Sequence, residues 1–116
     1  MITELQEKHV AGWNEKDADK RMQILGEVYA VDIQMHDKDF TLKGIQEVSD
    51  FIGKLLADDP NFTFSASKDI EFAQNGARLS GKIVTGVKPD IFESMDFFVI
   101  KNDKVAELFV YMDLVA

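Results

Sequence analysis

The amino-acid sequence predicts an α+β fold in which three helices pack on one side of a strongly curved, mostly antiparallel sheet. Apolar residues recur at helical spacing in the opening third of the chain and again after Gly44. From Phe62 onward they alternate at strand spacing instead, and short polar turns join the late strands. An antiparallel sheet with helices confined to one face is a two-layer arrangement. Long strands twist such a sheet, so it is expected to bend into a half-barrel whose mouth the helices close. A hollow between the two layers is a common place for a small ligand.

The elements follow in order. Thr3-Glu4-Leu5-Gln6 fits a capping box, and Ile2, Leu5, Val10 and Trp13 give an apolar stripe reaching Asn14. This stripe leaves His9 on the rim of the first helix. Asp17 is the expected N-cap of a second helix from Ala18 to about Tyr29, with Met22, Leu25, Val28 and Tyr29 facing inward. Gly26 weakens that helix by ~1 kcal/mol relative to alanine, which suggests close packing at its turn. Ile33, Met35 and Asp37 alternate with Asp32, Gln34 and His36 as a strand that ends in the turn His36–Asp39, and Phe40 to Lys43 form a short extended piece.

After Gly44, Ile45, Val48, Ile52, Leu55 and Leu56 mark a third helix, closed by Asp58-Asp59 before Pro60. Phe62 to Phe72 reads as one strand with a bulge near Lys68-Asp69. Asn75-Gly76 signals a two-residue hairpin into Ala77, Leu79, Gly81 and Ile83. Residues 86–90 form a loop before two apolar strands, 91–101 and 104–116, joined at Asn102-Asp103. The strands from Phe62 onward thus read as a four-stranded meander.

Composition narrows the function. A chain of 116 residues is expected to be one domain over residues 1–116, with a single core and room for one pocket. Its 21 acids against 13 bases give a net charge of −8, which repels phosphate backbones and anionic lipid; neither nucleic acid nor a membrane is an expected partner. With no cysteine there is no disulfide, thiol nucleophile or thiolate metal site. The opening MITELQEKHV is charged from its fourth residue and lacks the apolar stretch of a signal peptide, so a cytoplasmic protein is expected. No glycine-rich phosphate loop, Ser-His-Asp set or nucleotide fingerprint is present, and no cofactor is expected.

The segments Trp13-Asn14-Glu15-Lys16-Asp17 with Arg21, Tyr29-Ala30, Lys43-Gly44, Pro60 with Phe62 and Phe64, Met95-Asp96-Phe97 and Phe109…Met112-Asp113 occur in an order and spacing that span nearly the whole chain. In this the chain resembles the SnoaL-like branch of the nuclear transport factor 2-like superfamily. The resemblance implies a cone-shaped α+β barrel that commonly dimerises. The superfamily includes polyketide cyclases, a ketosteroid isomerase, a dehydratase, an epoxide hydrolase and non-catalytic transport adaptors. In its isomerase pattern Asp37 stands where the general base would be, and Asp96 stands where an acid helps hold the oxyanion. The tyrosine completing that oxyanion hole would fall between His9 and Trp13, where the chain has none.

The candidate catalytic residues are therefore Asp37, Asp96, Asp113 and His36. A carboxylate in an apolar strand must be hydrogen-bonded, paired or protonated. Two carboxylates facing one apolar hollow suit proton shuttling beside a carbonyl. The structural alternative is that Asp37 caps its turn, that Asp96 bonds backbone or a helix residue such as Arg21, and that Asp113 pairs with Arg21 or closes the end of the barrel. If Asn102-Asp103 is a two-residue loop, Ile100 pairs with Val105, Asp96 lies opposite Phe109, and Asp96 and Asp113 share a face. A longer loop or a bulge would put them on opposite faces. His36 alternates with Asp37 and points away from it, and no second histidine follows at ligand spacing, so no metal site is expected. Trp13, Tyr29, Met35, Phe98, Phe109 and Tyr111 are candidate ligand-lining residues, or plain core.

The sequence thus suggests a small cofactor-free enzyme, an isomerase or cyclase acting through aspartates on a small apolar or oxygenated organic molecule. The alternative is a non-catalytic ligand-binding or dimerisation module of the same fold, and a weaker one is a hydrolase or dehydratase positioning water. Apolar residues on both faces of the last hairpin suggest a homodimer through the sheet.

Overall fold

The computed structural model describes residues 3–86 and 91–114. Three helices, α1 Leu5–Asn14, α2 Ala18–Gly26 and α3 Ile45–Asp58, alternate with seven strands. These are β1 Tyr29–His36, β2 Thr41–Lys43, β3 Thr63–Ala66, β4 Glu71–Ala73, β5 Gly76–Val84, β6 Ile91–Lys101 and β7 Lys104–Leu114. The strands form one sheet in the order β2-β1-β7-β6-β5-β3, with β4 also paired to β5. Every pairing is antiparallel except β1 with β7, which run parallel. The fold class is the α+β arrangement expected from the hydrophobic patterning.

Several local expectations shift. Glu4, not Thr3, is the N-cap of α1, and no side chain caps it; the Gln6 carboxamide instead accepts from the Ile70 amide at 2.8 Å, tying α1 to the sheet edge. Asp17 does cap α2, accepting from the Lys20 amide at 3.0 Å. That helix stops at Gly26, so Val28 lies in the turn that follows and Tyr29 opens β1, neither on the helix's inner face. The close helix approach is at Gly12, where a Cβ would sit 2.3 Å from Leu25 Cδ2, while nothing lies within 4 Å of a Cβ at Gly26. The span 62–72 is two strands on one edge of β5: β3 pairs with its second half and β4 with its first. Ile2 and residues 87–90 of the expected loop lie outside the described residues.

The core forms where the helical stripes meet the concave face of the sheet. Leu5, Leu25, Ile33, Val48, Ile52, Leu79 and Leu108 are fully buried there. Gly44 starts α3 with φ of 90°, a conformation that side chains with a Cβ rarely adopt.

Two turns set the registers that matter. The first hairpin turns through Gln74-Asn75, one residue before the expected pair, with Gln74 at φ 57° and Ala73 opposite Gly76. The last turns through Asn102-Asp103, with φ of 52° and 60°, as a two-residue turn with both φ values positive requires. Ile100 pairs with Val105 as expected, but Val99 pairs with Glu107, so Ala106 is an extra residue in β7. This bulge places Val110, not Phe109, opposite Asp96. One added residue reverses every later side chain.

Candidate active site

Between α1, α3 and the concave sheet lies a cavity of about 360 Å³. Its walls are largely apolar: Trp13 from α1, Phe51 and Leu55 from α3, Met35 from β1, and Phe62 and Phe64 around the start of β3. Strands β6 and β7 add Phe92, Val110 and Met112. Five polar residues join them: Asp37, Asp59, Thr85, Ser94 and Asp96. An apolar hollow with a few convergent polar groups is the usual form of a small-molecule site.

Asp96 is 3% exposed, and its Oδ2 lies 2.8 Å from His9 Nε2. His9 is itself buried, and its Nδ1 lies 2.5 Å from the Tyr29 hydroxyl. That hydroxyl has a second contact, accepting from the Trp13 indole N–H at 3.0 Å. Proton positions follow from what each group can do. Burial pushes the Tyr29 phenol well above its ordinary range, with Asp96 adding to the shift and the Trp13 bond opposing it, so the hydroxyl keeps its proton. Indole is only a donor. The Tyr29 proton therefore goes to His9 Nδ1, which leaves Nε2 as the N–H that donates to the Asp96 carboxylate. The chain Trp13→Tyr29→His9→Asp96 points every donor toward one acid.

The imidazole is held in place by packing as well. Its ring meets Phe64 and Phe98 edge-on, with centroids 5.5 and 5.0 Å away and interplanar angles of 88° and 85°. A ring fixed by two hydrogen bonds and two aromatic neighbours presents the carboxylate in a single orientation. Asp96 thus meets the geometric demands on a proton-handling group: it is buried, oriented by a second residue, and set against an apolar hollow.

The other candidates separate by face. Asp37 lines the same cavity, half-buried, while its Oδ1 accepts from the Asp39 amide at 3.2 Å and so also closes its turn. Asp113 does not join them. The Ala106 bulge turns it outward with Tyr111, alongside Glu93 and Met95. Phe109 is turned outward too, where it stacks on His36 with centroids 4.6 Å apart. His36 accordingly lies on the outer side, 3.1 Å from Glu107 and 3.2 Å from Thr41. Trp13 and Met35 do line the cavity, whereas Tyr29 and Phe98 lie behind it, against His9.

Arg21 pairs with neither aspartate. Its buried guanidinium donates to Ser49 Oγ at 2.9 Å and to the Glu15 carbonyl at 2.7 Å, close beneath Gly53. Among the described residues no cluster of three or more His, Asp or Glu side chains is arranged to hold a metal ion. No helix there is long and apolar enough to cross a membrane.

His9, expected on the rim of α1, lies at the centre of the site. Leu5, His9 and Trp13 stand at i, i+4 and i+8, so the histidine lies on the helix's inner line. An apolar stripe counted through Val10 hides it. Nothing in the sequence marks Ser94, because a lone serine in a strand carries no signal of its own.

No protein-family model matches the sequence, and no curated protein matches it. Solved structures do match its fold. A proposed isomerase of the SnoaL-like family from Agrobacterium tumefaciens superposes with a TM-score of 0.84 at 18% identity, covering 97% of each chain. A protein of ketosteroid isomerase-like fold from Catenulispora acidiphila, solved in complex with trimethylamine, gives 0.79 at 14% identity over 96% of this chain and 86% of its own. A proposed SnoaL-like polyketide cyclase from Jannaschia sp. CCS1 gives 0.74 at 15% identity, over 97% and 83%. At such identities the likeness is one of architecture, and this chain has the nuclear transport factor 2-like fold of the SnoaL-like and ketosteroid isomerase-like proteins.

Proposed function

We propose that the chain is a small acid–base catalyst of the isomerase or cyclase type, with Asp96 as its proton-handling group and no cofactor. The observation that carries this reading is the buried Asp96 carboxylate, held at 2.8 Å by His9 against an apolar cavity. A carboxylate so placed can take a proton from a carbon beside a carbonyl and return it elsewhere on the same molecule. Asp37, at the same cavity, is the second candidate for that exchange. His9 acts through Asp96 as a positioning residue. Structural neighbours that include proposed isomerases and cyclases agree with this class of reaction.

The charged side chains lining the cavity among the described residues are all acids: Asp37, Asp59 and Asp96. Such a lining disfavours an anionic ligand, and the ligand proposed is small and oxygenated. A test that presumes no natural substrate uses 2-tetralone, a compact ketone, in deuterated water. Proton NMR is expected to show its α-hydrogens exchanging faster with the protein than without it. Loss of rate in D96N on the order of 10²–10⁴-fold is expected, the usual worth of a positioned acid–base group. Equal exchange by the wild type and D96N would sink the reading.

A non-catalytic binding module is the second reading, favoured by the trimethylamine held by the Catenulispora neighbour. Binding of 2-tetralone without any exchange would select it. We also propose a homodimer through the outer sheet face, where Phe97 is 39% and Tyr111 60% exposed and their rings meet edge-on. Sedimentation at micromolar concentration should give twice the chain mass, reduced to the chain mass in the double variant F97S/Y111S. A monomeric wild type would rule the dimer out.

A further inference from the structure

One polar side chain in the cavity wall has no partner. Ser94 lies two residues before Asp96 on β6, so both side chains project from the same face of the sheet. Ser94 is 5% exposed, and its Oγ is a buried polar atom without a hydrogen bond. The space around this hydroxyl is kept open from across the ladder. Gly81 is its partner on β5, and a Cβ there would sit 2.6 Å from Ser94 Oγ and 2.6 Å from Phe64 Cε1. Its partner on β7 is Met112, whose thioether is only a weak acceptor.

Buried hydroxyls are normally satisfied by protein or water, and an alanine would complete an apolar wall without that cost. The orphaned hydroxyl therefore points to a bond made to something else. We infer that Ser94 donates a hydrogen bond to an oxygen of the bound molecule, and that this oxygen is the carbonyl next to the carbon whose proton Asp96 handles. Residues two apart on a strand stand roughly 6.6 Å apart along it. With a contact made from each side chain, that span matches a carbonyl oxygen at one end and its neighbouring C–H at the other.

The proton transfer rests on the acid–base reading of Asp96, but the hydrogen bond from Ser94 does not. In the step itself, the α C–H bond breaks and its proton forms an O–H bond with the Asp96 carboxylate. The released electron pair becomes the C=C bond of an enolate, and the carbonyl π pair moves onto oxygen. The charge gathers on the oxygen that Ser94 touches, so its donor binds more strongly as the reaction proceeds. Return of the proton from Asp96 to that carbon completes an exchange; where the substrate carries a C=C bond next to the α carbon the ion is a dienolate, and return to its far carbon leaves the isomer, the carboxylate being restored either way. The ligand class is thus an enolisable carbonyl compound, and Ser94 is the donor that takes the place of the missing tyrosine.

The test reads the carbonyl stretch of 2-tetralone, labelled at its carbonyl carbon, in the presence of excess protein. Wild-type protein should move this band to lower frequency, and S94A should return it to the position seen in an apolar solvent. The S94A variant should lose α-hydrogen exchange by about 10²-fold, the typical effect of removing one such donor. Its thermal midpoint should be no lower than that of the wild type, because no protein contact is lost; a hydroxyl with a structural role would lower it. S94T, which keeps a donor, should retain part of the shift. An unshifted band in the wild type, or an identical shift in S94A, overturns the inference. A shift that depends on Ser94 with no exchange in any variant upholds it and sinks the acid–base reading instead.

Discussion

The two faces of the β6–β7 hairpin carry similar residues and impose opposite conditions on them. On the concave face Ser94, Asp96, Phe98 and Leu108 are buried, and the acid is tied to His9. On the convex face Phe97 and Tyr111 are exposed, and Asp113 stands opposite Glu93 with no difficulty, because water screens the two carboxylates. The two histidines repeat the contrast. His9 is enclosed between Phe64 and Phe98, whereas the His36 side chain is 25% exposed beside a Glu107 side chain exposed to 42%. Where water can replace a lost partner the partner matters little; where it cannot, the partner is obligatory.

The sharpest way to break this contrast is to neutralise one acid on each face. D96N should lower 2-tetralone exchange by about 10²–10⁴-fold, and D113N should leave it within about twofold. Comparable losses in both would mean that the concave face has no special role. Next come the histidines. H9A strands both Tyr29 and Asp96; leaving a buried polar group without its partner costs about 1–3 kcal/mol, and more for a carboxylate, whereas H36A should cost about 1 kcal/mol or less. Chemical denaturation of the two variants checks the difference. If H36A proved the costlier substitution, the assignment of His9 as the central support would fall.

A smaller effect concerns pH. The folded value of Tyr29 is raised above its ordinary 10.0, because burial disfavours the phenolate. The neutral phenol's contribution is thus fully present below about pH 10 and is lost progressively as pH rises above that point. Wild-type stability should fall more steeply than that of Y29F above pH 10, with parallel curves below it. Identical slopes above pH 10 would show that the phenol is not shielded as the structure has it.

The parts of this fold visible in the sequence are those set by neighbours along the chain. Asp17 starts α2, the spacing of Ile45, Val48, Ile52 and Leu56 gives α3, and Asn102-Asp103 marks its turn. Pairing between β1 and β7 joins residues about seventy positions apart, and no local pattern announces it. The hairpin register failed to transfer for a related reason. A turn sets pairing only as far as the next irregularity, and nothing in Val105-Ala106-Glu107 marks the bulge. At the site, Asp37 and Asp96 were legible from the resemblance, but the partner of Asp96 was not. A histidine flanked by charged and apolar neighbours reads as a rim residue until the helix supplies the angle that carries it inward.

Ala106 touches nothing in the cavity, yet it decides which half of β7 the cavity sees. Its presence gives the hollow Val110 and Met112; without it, alternation would offer Phe109, Tyr111 and Asp113. A single insertion or deletion at this point therefore exchanges a whole row of wall residues at once, while the turn, the partner strand and the acid at position 96 stay as they are. Point substitutions would need several steps to cover the same distance. The bulge makes the parity of one strand a heritable setting of the pocket, and a lineage could alternate between an apolar wall and an acidic, aromatic one by gaining or losing one small residue.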